Sequence, residues 1–201
     1  MKLFWVALVS YLIGSIPFSY LFSKLKGQDP RKAGTGNVGA TNVLIVAGPF
    51  AASLAVIGDV GKGILAILLA RYFGLSDWGR ALCGAAVVTG HDFSLFLKFK
   101  GGKGVATTAG VLFALDPIFG ILVSLLWILC MVTIRYFIPS TVLVLCFIPI
   151  MMWMASWRLE YITFGILNAL LGIYAHRADL RRFFAGEELT IRESLAKRRK
   201  K

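Results

Sequence analysis

Two long stretches without a charged side chain restrict what this chain can fold into. Residues 117–134 and 136–157 contain no Asp, Glu, Lys or Arg. A helix of about 20 apolar residues crosses a hydrocarbon core about 30 Å thick, so both stretches are suited to spanning a bilayer. With 58% of its residues hydrophobic, 16% charged and a mean hydropathy of +0.76, the chain has the composition of a membrane protein. The sequence therefore predicts an all-α bundle embedded in a membrane.

The same criterion predicts seven transmembrane helices joined by short polar loops. Asp59 and Lys62 interrupt the second helix, but they are three residues apart and can neutralise each other inside the bundle. Pro117 begins the fifth, a position where proline is tolerated because the first helical N–H groups have no intrahelical partner. The predicted spans cover residues 3–25, 48–73, 80–97, 105–115, 117–135, 140–157 and 160–175.

The distribution of cations predicts how the bundle is oriented. The chain carries 22 Lys and Arg against 10 Asp and Glu, a formal net charge of +12. Most of these cations fall in loops on one side, and short loops rich in Lys and Arg stay in the cytoplasm. An odd number of spans then places the N-terminus outside and the C-terminus in the cytoplasm. Because the cations lie between apolar segments, they indicate contact with membrane lipids rather than with nucleic acid.

We expect one membrane domain over residues 1–186 and a basic cytoplasmic tail over residues 187–201. The tail ends in an unbroken run of Lys and Arg. The three cysteines lie inside apolar stretches without paired spacing, so neither a disulfide framework nor a metal site is expected.

A glycine-rich loop at residues 34–42 is the first candidate binding segment. Its sequence, GTGNVGATN, places hydroxyl and carboxamide side chains between three glycines and leads directly into an apolar helix. Such a backbone turns sharply and presents N–H groups, which suits an anion or a polyol. An ordinary cytoplasmic turn, in which Thr41 or Asn42 caps the helix, explains the same residues.

A second loop, at residues 91–108, combines glycines with a lysine at the start of a helix. Gly101, Gly102 and Gly104 allow the chain to approach a ligand closely. Lys103 supplies a positive charge, and the following helix offers its positive N-terminal end, so the loop predicts a phosphate site. The spacing is not that of a Walker nucleotide loop, because Gly and Val follow the lysine. The alternative is that the lysines of this loop contact only lipid headgroups.

The C-terminal exit from the bundle contains the third candidate segment. His176 and Asp179 are three residues apart, so they share a helix face if the last span continues into the cytoplasm. Such a pair could orient a proton. The alternative is an interfacial histidine beside a charged helix end.

Taken in order, these segments resemble the acyl-phosphate:glycerol-3-phosphate acyltransferase family of bacterial inner membranes. The resemblance rests on GSIP at 14–17, the loop at 34–42, GH at 90–91 and FKGGKGVAT at 99–107, with a weaker similarity over 176–186. It implies a seven-span fold whose active site faces the cytoplasm. The implied reaction moves a fatty acyl group from acyl phosphate to the 1-hydroxyl of glycerol 3-phosphate. Lysophosphatidic acid and phosphate are the products, and neither coenzyme A nor another cofactor is expected.

The resemblance also implies roles for individual residues. Four of them are expected to act in catalysis: Thr35, Lys103, His176 and Asp179. His176 or the departing phosphate could receive the hydroxyl proton. Because an acyl phosphate is already activated, positioning and oxyanion stabilisation could supply most of the acceleration.

Further residues are expected to bind the substrates. Thr41 and the glycine backbone would neutralise phosphate together with Lys103, while Asn37 and Asn42 would bind hydroxyl groups. The full set of expected substrate-binding and phosphate-binding residues is Gly36, Asn37, Gly39, Thr41, Asn42, His91, Gly101, Gly102, Gly104 and Ser140.

Four positions depart from the family pattern. Thr35 replaces a serine but keeps the hydroxyl group. Ile45 stands where an arginine is expected, which removes a bidentate partner for phosphate. The sequence IPST at 138–141 replaces a Ser-Leu-Ala-Ser-like turn, and Asp179 replaces an asparagine and adds a negative charge near two anions. A divergent paralogue with lowered activity or a different acceptor is therefore an alternative.

Two other functional classes are compatible with this sequence. In a transporter or lipid flippase of the same fold, Asp59, Lys62 and the anion site at the helix start could serve translocation. No inverted repeat relates the two halves of the sequence, which counts against this class. The other is a non-catalytic membrane partner, which the missing arginine at position 45 would explain.

Overall fold

The computed structural model describes residues 1–191 and residue 193. Within this part of the chain all regular structure is helical, with nine α-helices and a 3₁₀ turn at Leu95–Leu97, so the predicted all-α fold is confirmed. The predicted basic tail lies mostly outside the described residues. The helices are α1 (Lys2–Ser15), α2 (Phe18–Leu25), α3 (Ala40–Ala47), α4 (Pro49–Tyr72), α5 (Asp77–Asp92), α6 (Val105–Leu115), α7 (Pro117–Ile134), α8 (Phe137–Met154) and α9 (Leu159–Phe184).

Four helical segments among the described residues are long and apolar enough to cross a membrane. They are Lys2–Leu25, Pro49–Tyr72, Pro117–Ile134 and Phe137–Met154. These segments correspond to the first, second, fifth and sixth predicted spans. Helices α5 and α6, with 16 and 11 residues, are shorter than the other spans, and α9 is rich in charged residues in its second half. Seven spans and the orientation of the termini therefore stay predictions.

Three of the differences between the helix boundaries and the predicted spans are the most informative. Pro17 divides the first span into α1 and α2, because proline lacks an N–H group and pushes the preceding Ile16 into an extended conformation. Helix α5 ends at Asp92 instead of continuing to residue 97. In contrast, α9 passes residue 175 and continues to Phe184, so the last helix extends beyond its predicted span.

The short helix α3 directly follows the first loop, as its apolar residues predict. It begins after Gly39, so Thr41 and Asn42 lie inside its first turn. The interpretation of either residue as the cap of this helix is therefore wrong. A glycine occupies the capping position, and it has no side chain to accept hydrogen bonds from the first N–H groups of the helix.

Glycines allow two pairs of helices to pack with their backbones in contact. A Cβ atom on Gly14 of α1 or on Gly90 of α5 would collide with the backbone of the other helix. The same holds for Gly63 of α4 and Gly110 of α6. Small residues at such crossings permit the close approach that is typical of membrane helices. The α1–α5 and α4–α6 pairs thus fix the positions of the two ends of the second loop.

Helix α7 presents a broad apolar face to its surroundings. Its buried residues are few, whereas large aliphatic side chains on the outer face are half exposed or more. An exposed face of this size is expected where lipid tails surround a helix. These side chains belong to Ile118, Ile121, Leu122, Leu125, Ile128, Leu129 and Val132.

At the end of the bundle opposite the glycine-rich loops, one carboxylate anchors the start of α9. Asp77 at the start of α5 accepts hydrogen bonds from Arg158 Nη1 at 2.5 Å and from the Tyr161 hydroxyl at 2.7 Å. Arg80 also pairs with this carboxylate, at 3.0 Å. These contacts fix α9 against α5, and the far end of α9 then reaches the second loop.

Candidate active site

Lys103 lies where the second loop meets α6, and its ammonium group is ion-paired with the Asp179 carboxylate of α9. Gly104 follows it and has a φ of 69°, in the left-handed region that glycine adopts without strain. The Lys103 and Asp179 side chains are 17% and 12% exposed, so the pair is partly enclosed but open to solvent. The second and third candidate segments therefore meet at one accessible cation.

The start of α6 adds to the positive character of this place. The first N–H groups of a helix have no intrahelical partner, and they carry the positive end of the helix dipole. Lys103 precedes this helix start by two residues. The lysine and the helix start together form a suitable site for an anion such as phosphate.

Asp179 also pairs with Arg182, one turn further along α9. Asp179 lies beyond residue 175, where the predicted span ends. Burial alone would raise the pKa of the Asp179 carboxyl, but the hydrogen bond and charge of Lys103 and the charge of Arg182 outweigh it and lower that pKa. The carboxylate is therefore negatively charged at neutral pH.

Gly101 and Gly102 hold the loop against the end of α5. The N–H of Gly101 donates to the Asp92 carbonyl at 3.0 Å, and the N–H of Gly102 donates to the His91 carbonyl at 3.0 Å. A Cβ atom on Gly101 would collide with the His91 carbonyl, and one on Gly102 would collide with the imidazole of His91. Both amides are thus engaged within the protein, and their expected contact with phosphate stays a prediction. Their function is to bring Lys103 close to the bundle.

A sealed polar cluster lies directly beneath this loop. The Lys62 ammonium group is 2.8 Å from Asp59 Oδ1 and 2.7 Å from His91 Nδ1, and it also donates to the Ile16 carbonyl at 3.1 Å. Because a charged lysine only donates, His91 Nδ1 accepts and the proton of a neutral imidazole lies on Nε2. His91 was expected to bind phosphate. The structure instead places its ring between the buried Lys62 and the backbone of Gly102.

A small cavity of about 10 Å³ separates the first loop from this cluster. Val38 of the first loop, Gly101 and Gly102 of the second, and Lys62 and His91 of the cluster all line it. This volume holds about one water molecule, so it is not a substrate pocket. It does establish that the first and second loops lie against each other.

In the first loop, Asn42 is a buried structural residue. Its Oδ1 accepts from the N–H of Thr35 at 2.8 Å, and its Nδ2 lies 2.7 to 3.1 Å from the carbonyls of Pro30, Ala33 and Asn37. These contacts engage the whole amide, so Asn42 shapes the loop. Its expected contact with a substrate hydroxyl stays a prediction.

The other expected residues of the first loop are open to a ligand. Thr35, Gly36 and Thr41 are exposed, and Asn37 and Gly39 are partly exposed. Thr35 Oγ1 accepts from the N–H of Asn37 at 3.4 Å, which folds the loop back on itself. Their predicted contacts with a substrate stay predictions.

His176 is fully buried, and its orientation follows from one hydrogen bond. Nδ1 lies 2.8 Å from the carbonyl oxygen of Gly172, one turn earlier on α9. Because a carbonyl oxygen only accepts, Nδ1 carries a proton. Nε2 is buried and has no hydrogen-bond partner among the described residues. In a neutral imidazole this nitrogen is the free proton acceptor.

Ser140 was expected to bind phosphate, but it connects α7 to α8. Its hydroxyl lies 2.6 Å from the carbonyl of Tyr136 and 3.1 Å from that of Cys130, and the residue is fully buried. A hydroxyl has one proton, so these two carbonyls share it. In this structure Ser140 contributes to the packing of the two helices, and its expected contact with phosphate stays a prediction.

The arginine expected at position 45 has no evident substitute in the first loop. Ile45 is a partly buried residue of α3. Arg31, the neighbouring candidate, pairs with Asp29 through Nε at 3.0 Å and Nη2 at 2.8 Å, and it lies over the ring of Tyr20. The hydrogen bond from Arg31 holds the pKa of Asp29 below its ordinary value. This guanidinium group is thus already engaged by a carboxylate.

Two residues near Lys103 were not identified from the sequence. Arg182 is three residues after Asp179, and this spacing on a helix is a signal that could have found it. Asp92 is buried beside Gly104, and its carboxylate oxygens have no hydrogen-bond partner among the described residues. Only the three-dimensional structure brings Asp92 to the start of α6.

Comparison with known proteins decides the family. The model of the glycerol-3-phosphate acyltransferase family matches residues 4–186. The chain belongs to the glycerol-3-phosphate acyltransferase family. This confirms the resemblance drawn from the three segments.

Relatives in this family cover almost the whole chain. A glycerol-3-phosphate acyltransferase of Pseudomonas paraeruginosa is 43% identical over 185 residues, which are 91% of this chain and 96% of that protein. Glycerol-3-phosphate acyltransferase 1 of Deinococcus radiodurans is 41% identical over 192 residues, covering 94% and 96% of the two chains. Both relatives are therefore matched over almost their whole length.

The fold is similar to that of an integral membrane glycerol 3-phosphate acyltransferase, PlsY, solved by crystallography. Its glycerol 3-phosphate form has a TM-score of 0.90 and 34% identity, and the match covers 95% of this chain and 96% of that one. Its lysophosphatidic acid form has a TM-score of 0.88 at the same identity, with 94% and 95% covered. The helical architecture is therefore that of an integral membrane family.

Proposed function

We propose that this protein is a glycerol-3-phosphate acyltransferase that uses acyl phosphate as its donor. The observation that carries the proposal is the ion pair of Lys103, at the start of α6, with Asp179 on α9, three residues after His176. Membership of the family and the solved forms of PlsY with glycerol 3-phosphate and lysophosphatidic acid support the same acceptor and product.

The charge and polarity of the site fit both substrates. Acyl phosphate and glycerol 3-phosphate are anionic, and Lys103 with the positive end of α6 would neutralise a phosphate group. The fatty acyl chain requires an apolar environment, which the lipid-exposed faces of helices such as α7 provide. Thr35, Gly36 and Thr41 are exposed on the adjacent loop and would contact the acceptor.

The reaction requires one bond to form and one to break. The 1-hydroxyl oxygen of glycerol 3-phosphate bonds to the acyl carbon, and the bond from that carbon to the phosphate oxygen breaks. The electron pair leaves with the phosphate, and the hydroxyl proton passes to His176 Nε2 or to the departing phosphate. Phosphate is a good leaving group, so positioning and charge neutralisation are the main contributions of the protein.

The proposal includes a location for the reaction. We place the protein in the bacterial inner membrane with seven spans, the N-terminus outside and the C-terminus and active site on the cytoplasmic side. The cation-rich loops support this orientation. Helices α5, α6 and α9 would complete the seven spans, since short helices are tolerated where neighbours enclose them. The surrounding lipid bilayer would accommodate the fatty acyl chains of the acyl phosphate donor and of the product.

A product assay tests the proposal. Purified protein in lipid nanodiscs is supplied with glycerol 3-phosphate and with acyl phosphate, acyl-coenzyme A or acyl carrier protein, and lysophosphatidic acid is measured by mass spectrometry. Of the three donors, we expect only acyl phosphate to give product. Lys103→Ala is expected to lower kcat/KM by at least about 100-fold, because it removes a positive charge that stabilises the transition state.

The matched control is Lys100→Ala, which removes an exposed lysine from the same loop. Its activity is expected to stay within about threefold of the parent, as for an ordinary surface charge. No product above a heat-denatured sample would reject the enzymatic function. Equal losses in the two variants would reject the specific role of Lys103.

A further inference from the structure

The cation expected to bind phosphate is already occupied by a carboxylate of the protein itself. The Lys103 ammonium group pairs with Asp179, and the same carboxylate pairs with Arg182. Arg182 also lies 3.5 Å from Glu188 through Nε. Asp179 thus holds two cations on one carboxylate at the mouth of the candidate site.

This arrangement depends on the residue type at position 179. An asparagine, which the resemblance leads us to expect there, would present an uncharged amide that cannot neutralise a lysine. A carboxylate competes directly with a phosphate group, because both present oxygen acceptors to the same ammonium protons. The expected arginine at position 45 is an isoleucine in this chain. Relative to the expected asparagine and arginine, the residues present at both positions make the site more negative.

We propose that Asp179 is an internal competitor for the phosphate site, which sets the affinity of this protein for phosphate-bearing substrates and promotes release of the phosphate product. In the empty site, Asp179 pairs with Lys103. An incoming phosphate displaces the carboxylate from the lysine, and the carboxylate returns when the phosphate leaves. This inference rests on the proposed function for its role in turnover, although phosphate binding itself does not require catalysis.

Arg182 makes the displacement possible. A carboxylate left without a partner in a partly buried position would carry a large penalty. Asp179 and Arg182 are three residues apart on the same helix, so their ion pair can persist when Lys103 binds another anion. The Arg182 side chain is 45% exposed, which leaves it room to follow the carboxylate. Exposure of 17% for Lys103 allows phosphate to reach it.

The first test measures binding without turnover. Inorganic phosphate is titrated into purified parent protein and Asp179→Asn by isothermal titration calorimetry, with Glu187→Gln as the matched control. Glu187 is an exposed carboxylate at the same helix exit. We expect Asp179→Asn to bind phosphate about tenfold more tightly, since one charged competitor is removed, while Glu187→Gln binds like the parent.

The second test uses the enzymatic reaction. KM is measured for acyl phosphate at saturating glycerol 3-phosphate and for glycerol 3-phosphate at saturating acyl phosphate, with inorganic phosphate as product inhibitor. Asp179→Asn is expected to lower the KM of the substrate whose phosphate contacts Lys103 and to strengthen inhibition by phosphate. The substrate whose KM falls identifies which phosphate Asp179 displaces. If Asp179 had a merely structural role, substituting it would not strengthen inhibition by phosphate.

Asp179→Ser provides a second uncharged variant in case the asparagine variant does not fold. Phosphate binding by the folded uncharged variants that equals or is weaker than binding by the parent overturns the proposal. An equal gain in phosphate affinity in Glu187→Gln also overturns it, because the loss of any nearby negative charge would then explain the effect. If all proteins lack acyltransferase activity, the proposed function fails, while the calorimetric result still decides the role of Asp179.

Discussion

Two Lys–Asp pairs lie next to the second loop, and they differ in how far solvent reaches them. Lys62 and Asp59 are three residues apart on α4, and 2% of each side chain is exposed. Lys103 and Asp179 are 76 residues apart in sequence, and their side chains are 17% and 12% exposed. A sealed pair cannot exchange a partner without leaving a charge unpaired in a medium of low dielectric constant. The open pair can exchange its partner for a ligand.

The two pairs are connected through His91 and the glycines. Lys62 donates to His91 Nδ1, the imidazole lies against Gly102, and Gly102 directly precedes Lys103. The sealed pair therefore supports the loop that presents the open lysine. We infer that one pair supports the loop and that the other serves the proposed reaction, although both consist of the same two residue types.

The largest effect is expected from removing the sealed lysine. Lys62→Met removes the lysine from the buried Asp59 carboxylate and leaves, among the described residues, only the Ser19 hydroxyl at 3.2 Å and His91 Nδ1 at 3.4 Å beside it. We expect this to lower the free energy of unfolding by about 4 kcal/mol. Lys103→Met is expected to lower it by less than about 1 kcal/mol, because this pair is partly exposed to solvent. Both values are measurable by equilibrium unfolding in detergent micelles.

The control for this prediction is the double variant Asp59→Asn with Lys62→Met. It contains no buried charge at this place, so most of the lost stability is expected to return. A double variant as unstable as the single one would show that the charge pair is not the source of the effect. The sealed pair would then differ from the open one only in exposure.

A smaller effect is expected where the sealed cluster meets the loop. Gly102→Ala places a methyl group against the imidazole of His91, so the loop must shift and Lys103 moves with it. We expect kcat/KM to fall about tenfold or more, since displacement by about 1 Å can cost 100-fold. Stability is expected to fall by about 1 to 3 kcal/mol from overpacking. Steady-state kinetics and thermal unfolding in detergent measure the two effects.

Gly61→Ala is the matched control for this substitution. Gly61 lies in α4, and an added Cβ meets no atom within 4 Å. Alanine favours the helix more than glycine, so stability is expected to be unchanged or higher by up to about 1 kcal/mol. Equal activity in Gly102→Ala and the parent would refute the link between His91 and the position of Lys103.

Helix boundaries and contacts between residues close in sequence could be predicted from the sequence. The boundary between α6 and α7 follows from Asp116 and Pro117, because the carboxylate accepts from the N–H of Phe119 at 3.0 Å and caps α7. The Asp59–Lys62 pair likewise follows from a spacing of three within one helix. Local rules of this kind predicted most of the helices.

The parts that could not be predicted depend on distant contacts. The pairing of Lys103 with Asp179 requires knowledge of how α6 packs near α9, which no local pattern contains. Asn42 and Ser140 have the polar groups of binding residues, but the fold uses those groups for backbone carbonyls. His91 has the chemistry of a phosphate ligand, yet packing places it beneath the loop. Residue type alone does not distinguish a group that holds a site from one that contacts a ligand.

The smallest effect is expected at the missing arginine of the first loop. Ile45 and Thr41 are four residues apart on α3, so they share a face next to the exposed loop residues. Ile45→Arg adds a guanidinium group that can bind phosphate through two hydrogen bonds. We expect the KM of glycerol 3-phosphate to fall about threefold to tenfold, with a weaker effect at high salt. The KM of acyl phosphate is expected to stay unchanged.

Ile45→Gln separates the effect of charge from that of polarity at the same position. It is expected to leave the KM of glycerol 3-phosphate within about twofold of the parent, because an amide contributes no charge. An unchanged or higher KM of glycerol 3-phosphate in Ile45→Arg would contradict the prediction.

Comparing Ile45→Arg with Asp179→Asn also sharpens the comparison of the two pairs. If the two substitutions lower the KM of different substrates, the open pair and the first loop bind different phosphate groups. If both lower the KM of the same substrate, residues 45 and 179 lie around one phosphate group.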